Sequence, residues 1–205
     1  MTPFTRLTAL AVAMPEANID TDIIVPARFL LITDKAGLGR TAFYERRYDA
    51  QGHPRPDFVL NDPRYAGAQI LIAGANFGCG SSREQAVWAL AELGFRCVIA
   101  PGFGEIFAAN CARNGILTVV LDEAIVARLI AEAGALRPLT VDLDSCTIVI
   151  CGDAIAFAIP ENRRQALLLG LDEPAMIRAT HHAAIAAFER AQRRAQPWLW
   201  SKDNG

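Results

Sequence analysis

Between Gln69 and Ala133 the chain alternates short apolar runs with longer stretches of helical periodicity. Ile70-Leu71-Ile72-Ala73 is an unbroken apolar run bounded by turn residues, the pattern of a strand buried on both faces. A glycine-rich turn follows, and the spacing of Ala86, Leu90 and Leu93 predicts a helix over Ser82 to Leu93 that Gly94 stops. Cys97-Val98-Ile99-Ala100 reads as a second buried strand, Glu105 to Asn114 as a helix ending at Asn114-Gly115, and Ile116 to Leu121 as a third strand. Asp122 is placed to cap a helix to about Ala133 whose apolar face carries Ile125, Leu129 and Ile130. Strands alternating with helices predict an α/β fold with parallel central strands and flanking helices.

The flanks differ in pattern. The apolar run Leu7 to Met14 reads as a first strand. Leu139 to Leu143, Thr147 to Cys151 and Ala154 to Ile159 read as three short strands, the last two joined at Gly152-Asp153, a hairpin signal. Pro160 is suited to open a helix running to Gly170, and a last helix is expected from roughly His182 to Arg194. Thr33 to Asp62 holds glycines, Pro54 and Pro56, both signs of charge and the aromatics Phe43, Tyr44 and Tyr48, with no sustained period. It reads as a long ordered loop, and the aromatics favour a functional one.

Charge and cysteine usage narrow the function classes. With 20 basic and 22 acidic residues the net charge is -2, so there is no basic excess to hold a nucleic-acid backbone. The five cysteines are odd in number and form no C-x-x-C pair, disulfide framework or zinc spacing, which fits a reduced, cytoplasmic setting. Cys79, Cys97, Cys111, Cys146 and Cys151 also lack the spacings of an iron-sulfur site, so no metal is expected on this chain and any cluster is expected on another. The single Arg6 before the Leu7 to Met14 run makes a poor secretory signal, and no apolar run reaches the roughly eighteen residues of a membrane span.

The densest chemical signal is Gly74-Ala75-Asn76-Phe77-Gly78-Cys79-Gly80-Ser81-Ser82-Arg83-Glu84, set between a buried strand and a helix start. Glycines let such a turn bend sharply and bring its N–H groups near an anion, and the helix N-terminus adds partial positive charge. Arg83 offers a fork suited to a carboxylate. A carboxylate or phosphate site follows from these residues alone. The same stretch also reads structurally, with Ser81 and Glu84, or Ser82 and Gln85, as capping boxes. A Walker loop is excluded because no Gly-Lys-Ser/Thr is present, and Arg83 stands where the dinucleotide fingerprint needs its third glycine. Cys79 has only the sequence-distant His53, His181 and His182 as bases and reads as a packed thiol.

Gly78-Cys79-Gly80-Ser81-Ser82-Arg83-Glu84, within Asn76 to Leu90, together with Asn18-Ile19-Asp20-Thr21-Asp22-Ile23-Ile24-Val25-Pro26, resembles the swivelling-domain signature of the aconitase superfamily. Similarity to the bacterial small subunits of isopropylmalate dehydratases continues through Asp57 to Asn61, Ala100-Pro101, Phe103, Ile106-Phe107, Asn110 and Gly170-Leu171-Asp172, covering about Asn18 to Glu189. The resemblance implies a single swivelling β/β/α domain over 1–205 with 33–62 a substrate-side loop, and 196–205, beyond the resemblance, is expected as a loose tail. It implies a hydro-lyase of leucine biosynthesis that isomerises 2- and 3-isopropylmalate by dehydration and rehydration. Activity then needs a large subunit carrying a [4Fe-4S] cluster, whose iron acts as Lewis acid on the leaving hydroxyl.

Carried over by motif, Ser81 would be the catalytic base. It takes a proton from the carbon next to the one that loses its hydroxyl, and Arg83 and the turn N–H groups stabilise its alkoxide. Arg83 would also bind a substrate carboxylate, and Ser82, Gly78, Gly80, Asp20, Thr21 and Asp22 would line the substrate-binding surface, Ser82 supporting the turn and the last three in a supporting role. Those last three also read as an Asx-type turn leading into Pro26.

The chain departs from the family pattern at Gln85, where histidine is usual, and at Glu173-Pro174-Ala175-Met176. These keep open a related dehydratase for citraconate or methylmalate-type diacids. Outside that chemistry stand a non-catalytic anion-binding module and a nicotinamide oxidoreductase resting on Gly78-x-Gly80 alone. Arg46 and Arg47 are expected mainly to pack. The helix bearing Arg190, Arg193 and Arg194, with Trp198 and Trp200 after it, reads either as a docking element or as a surface helix.

Overall fold

In a computed structural model the chain is described over residues 1–32 and 34–200. Its order is β1 (Arg6–Ala9), β2 (Ala11–Met14), α1 (Thr21–Ile24), α2 (Tyr44–Arg47), β3 (Ile70–Ala73), α3 (Glu84–Glu92), β4 (Cys97–Ala100), α4 (Glu105–Arg113), β5 (Leu117–Val120) and α5 (Glu123–Gly134). There follow β6 (Leu139–Asp142), β7 (Thr147–Ile150), β8 (Asp153–Ala156), α6 (Glu161–Leu169) and α7 (Glu173–Ala195).

The strands form two sheets. β2-β3-β4-β5 is parallel, in register from Ala11↔Ile70 through Ile70↔Cys97 to Cys97↔Leu117. β1-β6-β7-β8 is antiparallel. Successive side chains of a strand point to opposite faces, and the parallel sheet uses both. Val12, Leu71, Ala73, Val98 and Ala100 join one core with Leu90, Phe77, Phe107 and Phe43. Ala11, Ile70, Ile72, Cys97, Ile99 and Leu117 join a second core with Val126 and Leu129 of α5 and Leu139, Val141, Ile148 and Ile150 of the antiparallel sheet. Burial on both faces is why these strands read as unbroken apolar runs, and the layering is the β/β/α arrangement expected.

Three expectations change. The predicted strand Leu7 to Met14 is two strands, because the chain passes at Leu10 from the antiparallel sheet to the parallel one. Its apolar run hides a switch from one-sided to two-sided burial. The last helix, expected from about His182, is present and is preceded across a kink by a further helical stretch that begins at Glu173. Asp172 caps it by accepting a 2.8 Å bond from Ala175 N–H, and the helix is kinked where His181 leaves helical geometry. The Gly170-Leu171-Asp172 run is thus a joint, with Gly170 in the left-handed conformation ending α6 and Asp172 starting α7. Third, α3 starts at Glu84 with Arg83 in the capping position and no side-chain cap bond, so neither serine capping box forms.

The segment expected as an ordered loop contains α2 and two short 3-10 turns, Leu38–Thr41 and Val59–Asn61. Leu38, Ala42 and Phe43 are fully buried in the first core, and Arg46 and Arg47 do pack, on Glu16 and Asn61 respectively. Thr33 and the tail beyond Trp200 lie outside the described residues. From Gln196 to Trp200 the chain makes a 3-10 turn that lays the Trp200 ring under the Arg193 guanidinium, 4.4 Å from its centre.

Candidate active site

The glycine-rich turn leaves the C-terminal end of β3, the edge of a parallel sheet where ligands are usually bound. Its backbone is set by close packing. Gly78 has φ +70, and a Cβ there would fall inside the Phe107 ring of α4. Gly104 sits so close to the turn that a Cβ would lie 2.5 Å from the Gly78 carbonyl. Phe77 N–H donates to Gly102 O and Gly104 N–H to Phe77 O, each at 3.0 Å, tying the turn to the segment after β4. Gly80, at φ +90, uses its conformational freedom rather than space, since a Cβ would meet nothing nearer than 3.5 Å.

The second signature segment runs alongside the first. Asn18 N–H donates to Ala75 O at 2.8 Å, Gly78 N–H to Ile19 O at 2.7 Å and Thr21 N–H to Cys79 O at 2.9 Å, a parallel pairing bridged at Asp20 and Cys79. Asn18 and Asn76 both have positive φ, and Asn76 Nδ2 donates to Asn18 Oδ1 at 2.9 Å. Asp20 accepts a 2.7 Å bond from Ile23 N–H, three residues on, and so acts as the cap of α1 rather than as an Asx-type turn. Thr21, buried, donates from Oγ1 to Ser81 O at 3.0 Å. Arg83 forms an ion pair with Asp22 and reaches Val25 O at 3.5 Å, its side chain only 13% exposed.

All eight residues singled out from the motifs, Gly78, Gly80, Ser81, Ser82, Arg83, Asp20, Thr21 and Asp22, therefore meet in one place. Gly80, Ser81 and Ser82 are exposed there. Among the described residues, Ser81 Oγ and the N–H groups of Ser82 and Arg83 have no hydrogen-bond partner. A free hydroxyl, two free donors and a held guanidinium at a helix start make a surface able to receive a carboxylate and move a proton at the Ser81 oxygen.

Three supports are not singled out as site residues by the sequence: Gly104 and Phe107, which shape the Gly78 bend and of which Phe107 enters only through the resemblance, and Asn114, which holds Glu84. The Asn114-Gly115 pair signalled only a helix stop, and nothing in its spacing announced a side-chain partner 30 residues away.

The cysteines do not assemble. Burial pushes the Cys97 and Cys111 thiols well above their ordinary range, so both stay protonated and unsuited to bind metal. Cys79 is half-buried in the turn, and His53 pairs with Asp49 at 3.3 Å instead of serving it. Among the described residues no group of three or more His, Cys, Asp or Glu could hold a metal ion, and no helix is long and apolar enough to cross a membrane. The described cysteines do not converge on a common point and so do not fit an iron-sulfur cluster.

The Aconitase C-terminal domain family matches residues 1–124. The 3-isopropylmalate dehydratase small subunit of Dinoroseobacter shibae is 48% identical, over 97% of this chain and 100% of that protein. The subunit of the same name from Gluconobacter oxydans is 50% identical over 95% of each, and that from Neisseria meningitidis serogroup B is 45% identical over 98% of this chain and all of its own. The crystal structure of 3-isopropylmalate dehydratase from Methanocaldococcus jannaschii superposes with a TM-score of 0.65 at 26% identity, covering 90% of this chain and 99% of that one. The chain belongs to the aconitase C-terminal domain family and, within it, to the small subunits of 3-isopropylmalate dehydratase.

Proposed function

We propose that this chain is the small subunit of a cytoplasmic hydro-lyase that isomerises 2- and 3-isopropylmalate in leucine biosynthesis. It works as one swivelling domain that closes on a large subunit. The observation that carries the reading is the pairing of the two signature segments around Ser81. It leaves that hydroxyl unbonded on an exposed face, two residues before Arg83, whose guanidinium is held by Asp22.

Ser81 Oγ removes the proton from the substrate carbon next to the one that loses its hydroxyl. A serine alkoxide is too costly in water, so the free N–H groups of the turn and the charge of Arg83 lower its energy once the partner covers the face. Arg83 also receives a substrate carboxylate. The Lewis-acid chemistry belongs to a [4Fe-4S] cluster on the large subunit, consistent with a cysteine set here that cannot hold one. The relatives are named for 3-isopropylmalate, which favours that substrate over citraconate despite Gln85, and their enzymatic name disfavours a non-catalytic module.

The test is anaerobic turnover of 3-isopropylmalate and citraconate by this chain reconstituted with its large subunit, beside the Ser81→Ala variant and each subunit alone. Turnover by the complex only, abolished in Ser81→Ala, supports the reading. Failure of 3-isopropylmalate in a complex with an intact cluster removes it.

A further inference from the structure

Asn114 is the C-cap of α4 and precedes Gly115, a place where most side chains simply point to water. Here the carboxamide is half-buried and saturated. Nδ2 donates to Glu84 Oε1 at 2.8 Å and to Asn110 O at 2.9 Å, while Oδ1 accepts from Trp88 Nε1 at 3.1 Å and Lys35 Nζ at 3.3 Å. An amide has two donors and two acceptor positions, so all four are used. Its orientation is dictated by chemistry, because indole and ammonium only donate whereas carboxylate and carbonyl only accept.

These partners converge on the helix that follows the active-site turn. Glu84 is the first residue of α3, directly after Ser81-Ser82-Arg83, and Trp88 lies one turn further on. Lys35 brings in the substrate-side loop, its ammonium 4.8 Å from the centre of the Trp88 ring. The same loop is held on α3 a second time, where Glu92 accepts from the N–H groups of Gly37 and Gly39. No serine caps the start of α3, and the bond from Asn114 to Glu84 holds its first residue beside the Arg83–Asp22 ion pair that holds the residue before it.

We infer that Asn114 is a positioning residue of the reaction, holding Glu84 so that Ser81 and Arg83 keep their geometry and tying the substrate-side loop to the same helix. The inference rests on the reading of Ser81 as base. Only asparagine meets the geometry: aspartate has no donor for Glu84 and faces it with like charge.

The test is a double-mutant cycle of Asn114→Asp and Glu84→Gln in the reconstituted two-subunit enzyme, with Asn114→Ser and Ser81→Ala alongside. Asn114→Asp keeps the acceptor for Trp88, and an unchanged far-UV circular dichroism spectrum reports an intact fold. Its kcat should fall by about 10- to 100-fold with KM within about twofold. Adding Glu84→Gln, whose amide can donate to Asp, should recover a large part of the loss beyond additivity. Asn114→Ser, which removes the amide without adding charge, should lower kcat in the same direction.

Wild-type kcat in either Asn114 variant, or additive effects in the cycle, overturns the inference. Retained turnover in Ser81→Ala overturns the base assignment instead, and the cycle then reports on Asn114 and Glu84 independently.

Discussion

Thr21 Oγ1 donates a 3.0 Å hydrogen bond to the backbone carbonyl of Ser81, joining two segments 60 residues apart. The bond orients the peptide that follows Ser81, whose N–H is one of the two free donors beside the hydroxyl. Thr21→Val keeps the buried volume and removes the donor. It should cost about 1 kcal/mol of stability and lower kcat of the assembled enzyme about tenfold, measured by urea unfolding and steady-state turnover. Unchanged kcat would show that the turn holds itself without α1.

Much of the site was legible because its chemistry is local. Gly78 to Glu84 is contiguous, and the meaning of its glycines and of Arg83 follows from residue type. The parallel strands were legible because burial on both faces leaves an apolar run. What escaped depends on distance. No local pattern distinguishes one strand crossing between sheets at Leu10 from one continuous strand. The serine capping boxes are plausible in sequence, but Thr21 and the pairing with Ile19 to Thr21 hold the turn in a path that delays α3 to Glu84. The helix from His182 is legible in its own spacing, whereas the stretch from Glu173 up to the kink at His181 went unread although Asp172-Glu173-Pro174 is a capping residue followed by proline in the first turn.

Gly78 and Gly80 resemble each other in sequence and should differ under substitution. Gly78→Ala drives a methyl group into the Phe107 ring and strains a positive φ, so a loss of about 3 kcal/mol or more is expected. Gly80→Ala meets Asp20 and Thr21 only at ordinary contact distance, 3.5 Å, and should lose only about 1–2 kcal/mol from its backbone conformation. Denaturant melts of the two variants decide this, and equal losses would contradict the packing described.

Arg83 is held by Asp22 while keeping the rest of its guanidinium free for a ligand. Lysine cannot reproduce that fork. Arg83→Lys should raise KM for 3-isopropylmalate about tenfold, equivalent to about 1.4 kcal/mol. Asp22→Asn retains an acceptor and should have a smaller effect, and in the double variant the effect of Asp22→Asn should largely vanish. Independent, additive changes in KM would mean that the pair does not orient the substrate-binding group.

Glu16, just past β2, receives both terminal nitrogens of Arg46 from α2, at 2.5 and 2.9 Å. The hydrogen bond from Arg46 is the main reason its carboxyl titrates below the ordinary value of 4.5. A carboxyl whose folded value is lowered stabilises the fold fully above its unfolded value and loses that contribution as pH falls through the folded one. The pair should therefore contribute at neutral pH and fade below about pH 4.5. Its Glu16 side chain is 55% exposed, so solvent screening keeps the contribution small. Urea midpoints measured from about pH 6 down to about pH 3 should fall less steeply in Glu16→Gln than in the parent chain. The slope should persist in part, because Asp49, Asp62, Asp142 and Glu161 are also held low by hydrogen bonds. Identical acid limbs in the two proteins would mean that the Arg46 contact does not persist in solution.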